Sequence, residues 1–189
     1  MGSRRRESFA ERRERRAEVD DPAVVLEAAA RFLEARARSV GEVRRRLTSA
    51  GYRADLIEGA TERMTELGML DDETFARAWI ESRDRARPRG ERALSEELRV
   101  RGVDRSVISA ALEERRTTAS DAGEDAVPSA DEAAAERLLA RHARALERVA
   151  DPRARRQHAY ALLARNGFDP GVCGSISARF AAGDVTDGD

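Results

Sequence analysis

The chain contains no lysine; all 35 of its basic residues are Arg. Without Lys, a phosphate-cradling loop of the GxxxxGK[ST] type is excluded. Genome composition is the simplest account of Arg in place of Lys, although a guanidinium suits carboxylate and phosphate equally well. A single cysteine, Cys173, excludes an intramolecular disulfide framework. The only histidines, His142 and His158, do not combine with it in any spacing that supplies the four close ligands of a zinc site. Aromatic residues make up 4% of the chain, so helix faces must be packed mainly with Leu, Ala, Val and Ile, and the core should be thin. No apolar run approaches the ~18 residues that a membrane span requires. The Arg-rich N-terminus is not followed by an apolar segment of the kind a secretory signal needs, so the cytoplasm is the expected compartment and no membrane partner is expected. The 36 acidic residues leave a net charge of −1, and the pI near 6.2 does not resemble the strongly basic footprint of a typical nucleic-acid domain. Any anion binding must be local.

What the chain does contain is one spacing written three times. Leu47, Gly51-Tyr52, Leu56-Ile57 and Ala60 recur as Leu98, Gly102-Val103, Val107-Ile108 and Ala111. They recur again as Leu163, Gly167-Phe168, Val172-Cys173 and Ile176. A short helical unit cannot bury its apolar stripe alone, whereas neighbouring units share a core. A modular binding surface follows more naturally than a single catalytic pocket.

The surrounding pattern gives three helices per unit. After Asp21-Pro22, which supplies a cap and a first-turn proline, Val25, Ala28, Ala29, Phe32 and Leu33 predict a helix to about Arg38. Ser39 with Glu42 is a capping box opening a second helix that closes at Gly51. A third, over 54–67, carries Leu56, Ile57, Ala60, Met64 and Leu67. The cycle restarts at Asp71 or Asp72 with Phe75, Ala76, Trp79 and Ile80, a stripe in which Trp79 reads as the central core anchor rather than a base-stacking platform. It continues over 91–101, and Asp104 caps a short helix holding Val107, Ile108, Ala111 and Leu112. A third set covers 131–148, Pro152–Arg165 capped by Asp151, and Pro170 to about Ala181 capped by Asp169. Gly171 and Gly174 each cost that last helix ~1 kcal/mol relative to Ala, making it the most mobile. The expected organisation is a mixed-charge disordered tail over 1–20, repeats over 21–69 and 70–114, an acidic flexible linker over 115–130, a repeat over 131–182 and a disordered acidic tail over 183–189. Residues 1–20, with seven Arg and five acids, fit a solvated tail or a frayed helix. The fold class is all-α: three tandem three-helix, helix-turn-helix-like repeats in an elongated arrangement.

Catalysis has little to work with. A thiolate nucleophile needs a neighbouring imidazole and an orienting carboxylate, which a Cys173–His158–Asp169 arrangement would supply. Cys173, however, fills the apolar repeat slot held by Ile57 and Ile108, where a small buried hydrophobe belongs. No catalytic residue, metal or cofactor is expected. Most carboxylates have an Arg close by in sequence (Glu62 and Glu66 with Arg63, Glu113 with Arg116, Glu132 and Glu136 with Arg137), the pattern of solvated helix faces.

Arginines in local excess are the candidate contact residues. Arg44, Arg45, Arg46 and Arg53 face Glu42 alone. Arg83, Arg85, Arg87, Arg89 and Arg92 face Asp84 and Glu91, and Arg153, Arg155, Arg156 and Arg165 face Asp151. All lie on or just before the middle helix of a unit. With regular stacking they would line a cationic groove able to follow a filament or a strand of phosphates. Three ordinary solvated faces are the rival account.

The stretch Leu70-Asp71-Asp72-x-x-Phe75-Ala76-x-x-Trp79, then Arg83, and after the Pro88-Arg89-Gly90 turn Leu94-x-x-Glu97-Leu98-x-x-x-Gly102-Val103, resembles the RecX family of bacterial recombination regulators. The resemblance covers about residues 23–114 strongly and 131–181 by repeat spacing alone. The long linker and the glycines at 171 and 174 depart from a compact third unit. The resemblance implies a non-enzymatic protein that binds the RecA recombinase filament on single-stranded DNA, lies along its groove and suppresses its ATPase and strand exchange. The expected partner is therefore that nucleoprotein filament, met through recombinase, single-stranded DNA or both and bound by a monomer, with Arg44, Arg45, Arg46, Arg85, Arg87, Arg89, Arg92, Arg153, Arg155 and Arg156 as contacts. Direct DNA binding independent of a recombinase is the alternative.

Overall fold

Leu47, Leu98 and Leu163, the first residue of each repeat, are all buried to 2% exposure or less, each worth roughly 1.5–3 kcal/mol of burial. The glycines four residues on have φ of +103° (Gly51), +82° (Gly102) and +83° (Gly167). Only glycine takes that left-handed conformation without a penalty of ~1–2 kcal/mol. Ile57, Ile108 and Cys173 with Ala60, Ala111 and Ile176 are buried as well, while Leu56, Val107 and Val172 beside them are half-buried. The repeat is thus one helix-stop, helix-start device used three times.

The computed structural model describes residues 8–120 and 128–183. Among them the fold is all-helical: α1 (Phe9–Ala17), α2 (Pro22–Leu33), α3 (Val40–Ala50), α4 (Ala54–Glu66), α5 (Asp72–Ala86), α6 (Glu91–Arg101), α7 (Arg105–Ser120), α8 (Ala130–Glu147), α9 (Pro152–Arg165) and α10 (Pro170–Ala182). The parts of the expected tails and linker at 1–7, 121–127 and 184–189 lie outside the described residues. The chain divides into two units. One runs to Phe75 and includes Arg101–Val103; the other comprises Ala76–Val100 and the chain from Asp104 onward.

In the first unit α2, α3 and α4 pack around Val25, Ala29, Val43, Leu47, Ile57, Ala60, Met64 and Leu70. The Ser39–Glu42 capping box starts α3. Ser39 is itself buried, and its hydroxyl also donates to the Arg101 carbonyl at 2.6 Å. A Cβ on Gly41 would stand 2.7 Å from that carbonyl oxygen and from Gly102 Cα, so this contact requires glycine. Helix α2 ends at Leu33, short of Arg38, because the apolar period stops there. Arg36 turns to Glu42 at 3.1 Å, and Arg38 lies over the Phe32 ring at 4.2 Å. A capping box on Ser8 and Glu11 gives residues 9–17 a helix, α1, that buries no residue.

In the second unit α5, α6 and α7 bury Ile80, Leu94, Leu98, Ile108, Ala111 and Leu112. Helices α8, α9 and α10 form their own core around Leu138, Leu139, Leu146, Ala159, Leu163, Phe168, Cys173, Ile176 and Phe180. The turn before α6 meets the turn after α9: Gly90 N–H donates to the Asn166 carbonyl at 3.1 Å, and a Cβ at Gly90 would overlap the backbone of Gly167 and Phe168. Helix α7 runs to Ser120, six residues into the stretch whose composition suggests a linker. Arg115 explains the extension. It continues the Ile108–Leu112 stripe and is 5% exposed, donating to both Asp84 oxygens at 3.0 Å and to Asp131 at 2.7 Å.

Candidate functional site

Three consecutive helical residues fan through about 200°, because each step turns about 100°. Arg44, Arg45 and Arg46 on α3 accordingly face three ways. Arg44 pairs with Glu58 of α4 at 2.5 Å, Arg46 lies over the Phe32 ring at 5.8 Å, and an Arg45 nitrogen sits beside Gly102. Neither Arg45 nor Arg46, both exposed, makes a hydrogen bond or ion pair among the described residues, and Arg45 lacks a ring contact as well.

The second group divides similarly. Arg85 is exposed and 3.5 Å from Glu81. Arg87 and Arg92 are exposed, and their side chains have no partner among the described residues. Arg89 is spent inside the fold: it donates to the Asn166 side chain at 2.5 Å and lies 3.5 Å from Glu97. Glu97 also accepts from Trp79 Nε1 at 2.9 Å and from Arg83 Nε at 2.6 Å, while the Arg83 guanidinium covers the Trp79 ring at 4.2 Å. Trp79 is therefore a half-buried, hydrogen-bonded edge of the packing rather than the central anchor expected of it. Its indole N–H requires a partner, and Glu97 supplies one.

On α9, Arg153 and Arg156 come together. Both are exposed and unpaired among the described residues, and with Gln157 and Tyr160 they line an open cleft of about 460 Å³. Arg155 departs from them, half-buried and donating to the Val149 carbonyl at 3.1 Å.

A further cationic stripe escaped the charge count. Arg137, Arg141, Arg144 and Arg148 recur at four, three and four residues along α8, on the side away from its buried Leu138, Leu139 and Leu146. Arg141 caps the end of α5 by donating to the carbonyls of Arg85, at 2.5 Å, and Ala86. Arg144 and Arg148 have no partner among the described residues. The helical period was the available signal, masked by Glu132, Glu136 and Glu147 on the same helix. The local pairing rule holds for Arg63 with Glu66 at 2.9 Å and Arg116 with Glu113 at 2.6 Å. It fails for Glu132 and Glu136, which serve the α8 capping box and Arg179.

Among the described residues, Cys173 and His158 are not set up as a nucleophile and its base. Cys173 is fully buried with its Sγ 3.6 Å from the Phe168 carbonyl. Burial, reinforced by the charges of Asp169 and Asp131, pushes its thiol above the usual cysteine range, opposite to what a nucleophile needs. His158 is solvent-exposed on α9. No group of three or more His, Cys, Asp or Glu among the described residues is placed to hold a metal. No described helix is long and apolar enough to cross a membrane.

The fold is that of an all-helical protein built from consecutive three-helix sets. The family model for the first three-helix domain of RecX matches residues 26–64, and that for the second matches residues 71–112. A regulatory protein RecX of Mycobacterium ulcerans is 34% identical over 153 residues, covering 80% of this chain and 82% of that protein. One from Mycolicibacterium smegmatis is 46% identical over 82 residues, a match spanning 43% of this chain and under half, 44%, of that relative. The chain belongs to the RecX family. Its fold is similar to the crystal structure of RecX from Lactobacillus salivarius, with a TM-score of 0.70 at 17% identity, covering 86% of this chain and 98% of that one. A second regulatory protein RecX structure gives a TM-score of 0.66 at 18% identity, with 82% and 70% covered.

Proposed function

We propose that this chain binds the RecA recombinase filament on single-stranded DNA and inhibits its ATPase, recombinase and filament-extension activities, as a non-enzymatic cytoplasmic regulator. Membership of the RecX family is the observation that carries the reading. The three helix sets, over 21–69, 70–114 and 131–182, are its binding modules. Arg45, Arg87, Arg92, Arg153 and Arg156 are the strongest contacts of the ten arginines in local excess, since no internal partner competes for them. Arg44, Arg46, Arg85 and Arg155 contribute after giving up weak internal contacts, and Arg89 contributes through the fold. Guanidinium groups form charge-assisted, bidentate bonds to carboxylates and phosphates, the two anions a nucleoprotein filament presents. Several such contacts on one chain convert individually weak interactions into slow dissociation.

Direct DNA binding without the recombinase is the second reading, favoured by the unpaired α9 arginines and opposed by the near-neutral net charge. The test is a recombinase ATPase assay with R87E/R92E/R153E/R156E. These side chains are exposed, so the variant keeps its thermal unfolding midpoint while losing inhibition. Inhibition at wild-type level rejects the assignment.

A further inference from the structure

Residues 152–168 contain no Asp or Glu, the longest such run in a chain where 36 of 189 residues are acidic. The run coincides with α9, whose N-cap carboxylate, Asp151, is occupied by the backbone N–H groups of Arg153 and Ala154 at 3.1 and 3.3 Å. The outward face of the helix carries Arg153, Arg156, Gln157 and Tyr160 around the open cleft, and no carboxylate lines it. Tyr160 is 39% exposed, one of the few large apolar side chains left in solvent. Neither guanidinium has a partner among the described residues.

An exposed ring between unpaired cations is the pairing that single-stranded nucleic acid uses: bases stack on the ring because every base has a π-face, and the cations track the phosphates. Arg156 and Tyr160 are one turn apart, on the order of 6 Å along the axis, and Arg153 is one turn further back. Gln157, between them, offers both a donor and an acceptor to a base edge. An acidic protein surface would satisfy the arginines but leave the ring without a partner, and duplex DNA hides the base faces. Charge complementarity and the exposed ring together select an unpaired strand.

We propose that this face of α9 is a single-stranded nucleic-acid contact in which Tyr160 stacks on an unpaired base while Arg153 and Arg156 pair with flanking phosphates. The proposal deepens the filament reading by giving this face the DNA strand rather than the recombinase. It also stands without that reading, because naked strand is enough to test it.

The experiment measures fluorescence anisotropy of a labelled oligo(dT) titrated with the full chain across a salt series. Y160A is expected to weaken binding on the order of tenfold, while Y160F retains it. R153Q/R156Q should reduce the log–log salt slope by about 1.4, from two lost phosphate contacts on a single strand. Replacing the thymines by abasic sites should reproduce the Y160A loss with the wild-type protein, which separates stacking from any effect of the substitution on folding. Equal affinity of wild type and Y160A, or an abasic strand that binds as well as oligo(dT), overturns the proposal. If the α9 variants weaken binding to recombinase filaments but not to naked strand, this face meets protein and the inference fails while the proposed function stands. If wild type binds naked strand through Tyr160 yet gains nothing from the recombinase, the proposed function fails and this inference stands.

Discussion

Removing the Arg115 guanidinium should cost more than any single change on the exposed surface. Arg115 donates to both oxygens of Asp84, to Asp131 and to the Ala130 carbonyl at 3.3 Å. Burial opposes its charge, but the hydrogen bonds to Asp84 and then Asp131 outweigh that and make it more basic than an ordinary Arg. Burial raises the Asp131 carboxyl above its usual range even with Arg115 beside it, so this carboxylate is costly to leave without a counter-charge. Arg115→Met keeps most of the aliphatic stem but leaves Asp131, 12% exposed, with only the Glu91 N–H, and Asp84, 23% exposed, with only the longer Arg137 contact at 3.7 Å. Breaking a buried pair from one side costs about 3–5 kcal/mol. With a urea slope of roughly 1–3 kcal/mol per molar, the unfolding midpoint should fall by about 1 M or more. The triple variant R115M/D84N/D131N should recover most of that loss, because it removes the stranded charges together with their partner. Circular dichroism during urea titration reads both. An R115M midpoint indistinguishable from wild type would refute the reasoning, as would a triple variant no better than R115M.

Asp72 and Cys173 give two further tests. Burial holds the Asp72 carboxyl above its usual range, opposed by the Val40 N–H that donates to it at 2.9 Å. A pKa raised by folding supplies stability that is fully present below the unfolded value and lost as pH rises through the folded one. D72N keeps an acceptor for Val40 and escapes that loss, so its melting temperature relative to wild type should rise between acid and neutral pH; parallel pH profiles would contradict this. The Cys173 thiol, buried and held protonated, should react with a thiol reagent only in denaturant, and C173A should inhibit the recombinase like wild type. Rapid labelling of the native chain would undo the structural assignment of this cysteine.

The repeats were legible because each is fixed by short-range physics: a Leu to bury, a Gly able to take positive φ, and apolar residues at helical spacing. Ser39, Asp151 and Asp169 announce their helices for the same local reason, and all three accept the backbone bonds expected of caps. The candidate site was less legible, since counting charge along a window discards direction. Arg44–Arg46 sum to a strong excess yet point to Glu58, to Gly102 and to Phe32. Arg89 looks like its neighbour Arg87 until Asn166, 77 residues away, comes to it. Arg115 resembles a linker residue because its partners, Asp84 and Asp131, are 31 and 16 residues distant. The residues that carry the family resemblance, Trp79, Arg83 and Glu97, bond to one another and hold the fold, so they identify the family without marking the surface that meets a partner.

Co-sedimentation with recombinase filaments, run beside bare single-stranded DNA at the same salt concentration, tests the central claim most directly. The account predicts that the chain pellets with filaments at concentrations where bare strand retains much less of it, and that R87E/R92E/R153E/R156E abolishes the difference. Equal pelleting with filaments and bare strand, or filament binding untouched by the four reversals, would contradict it.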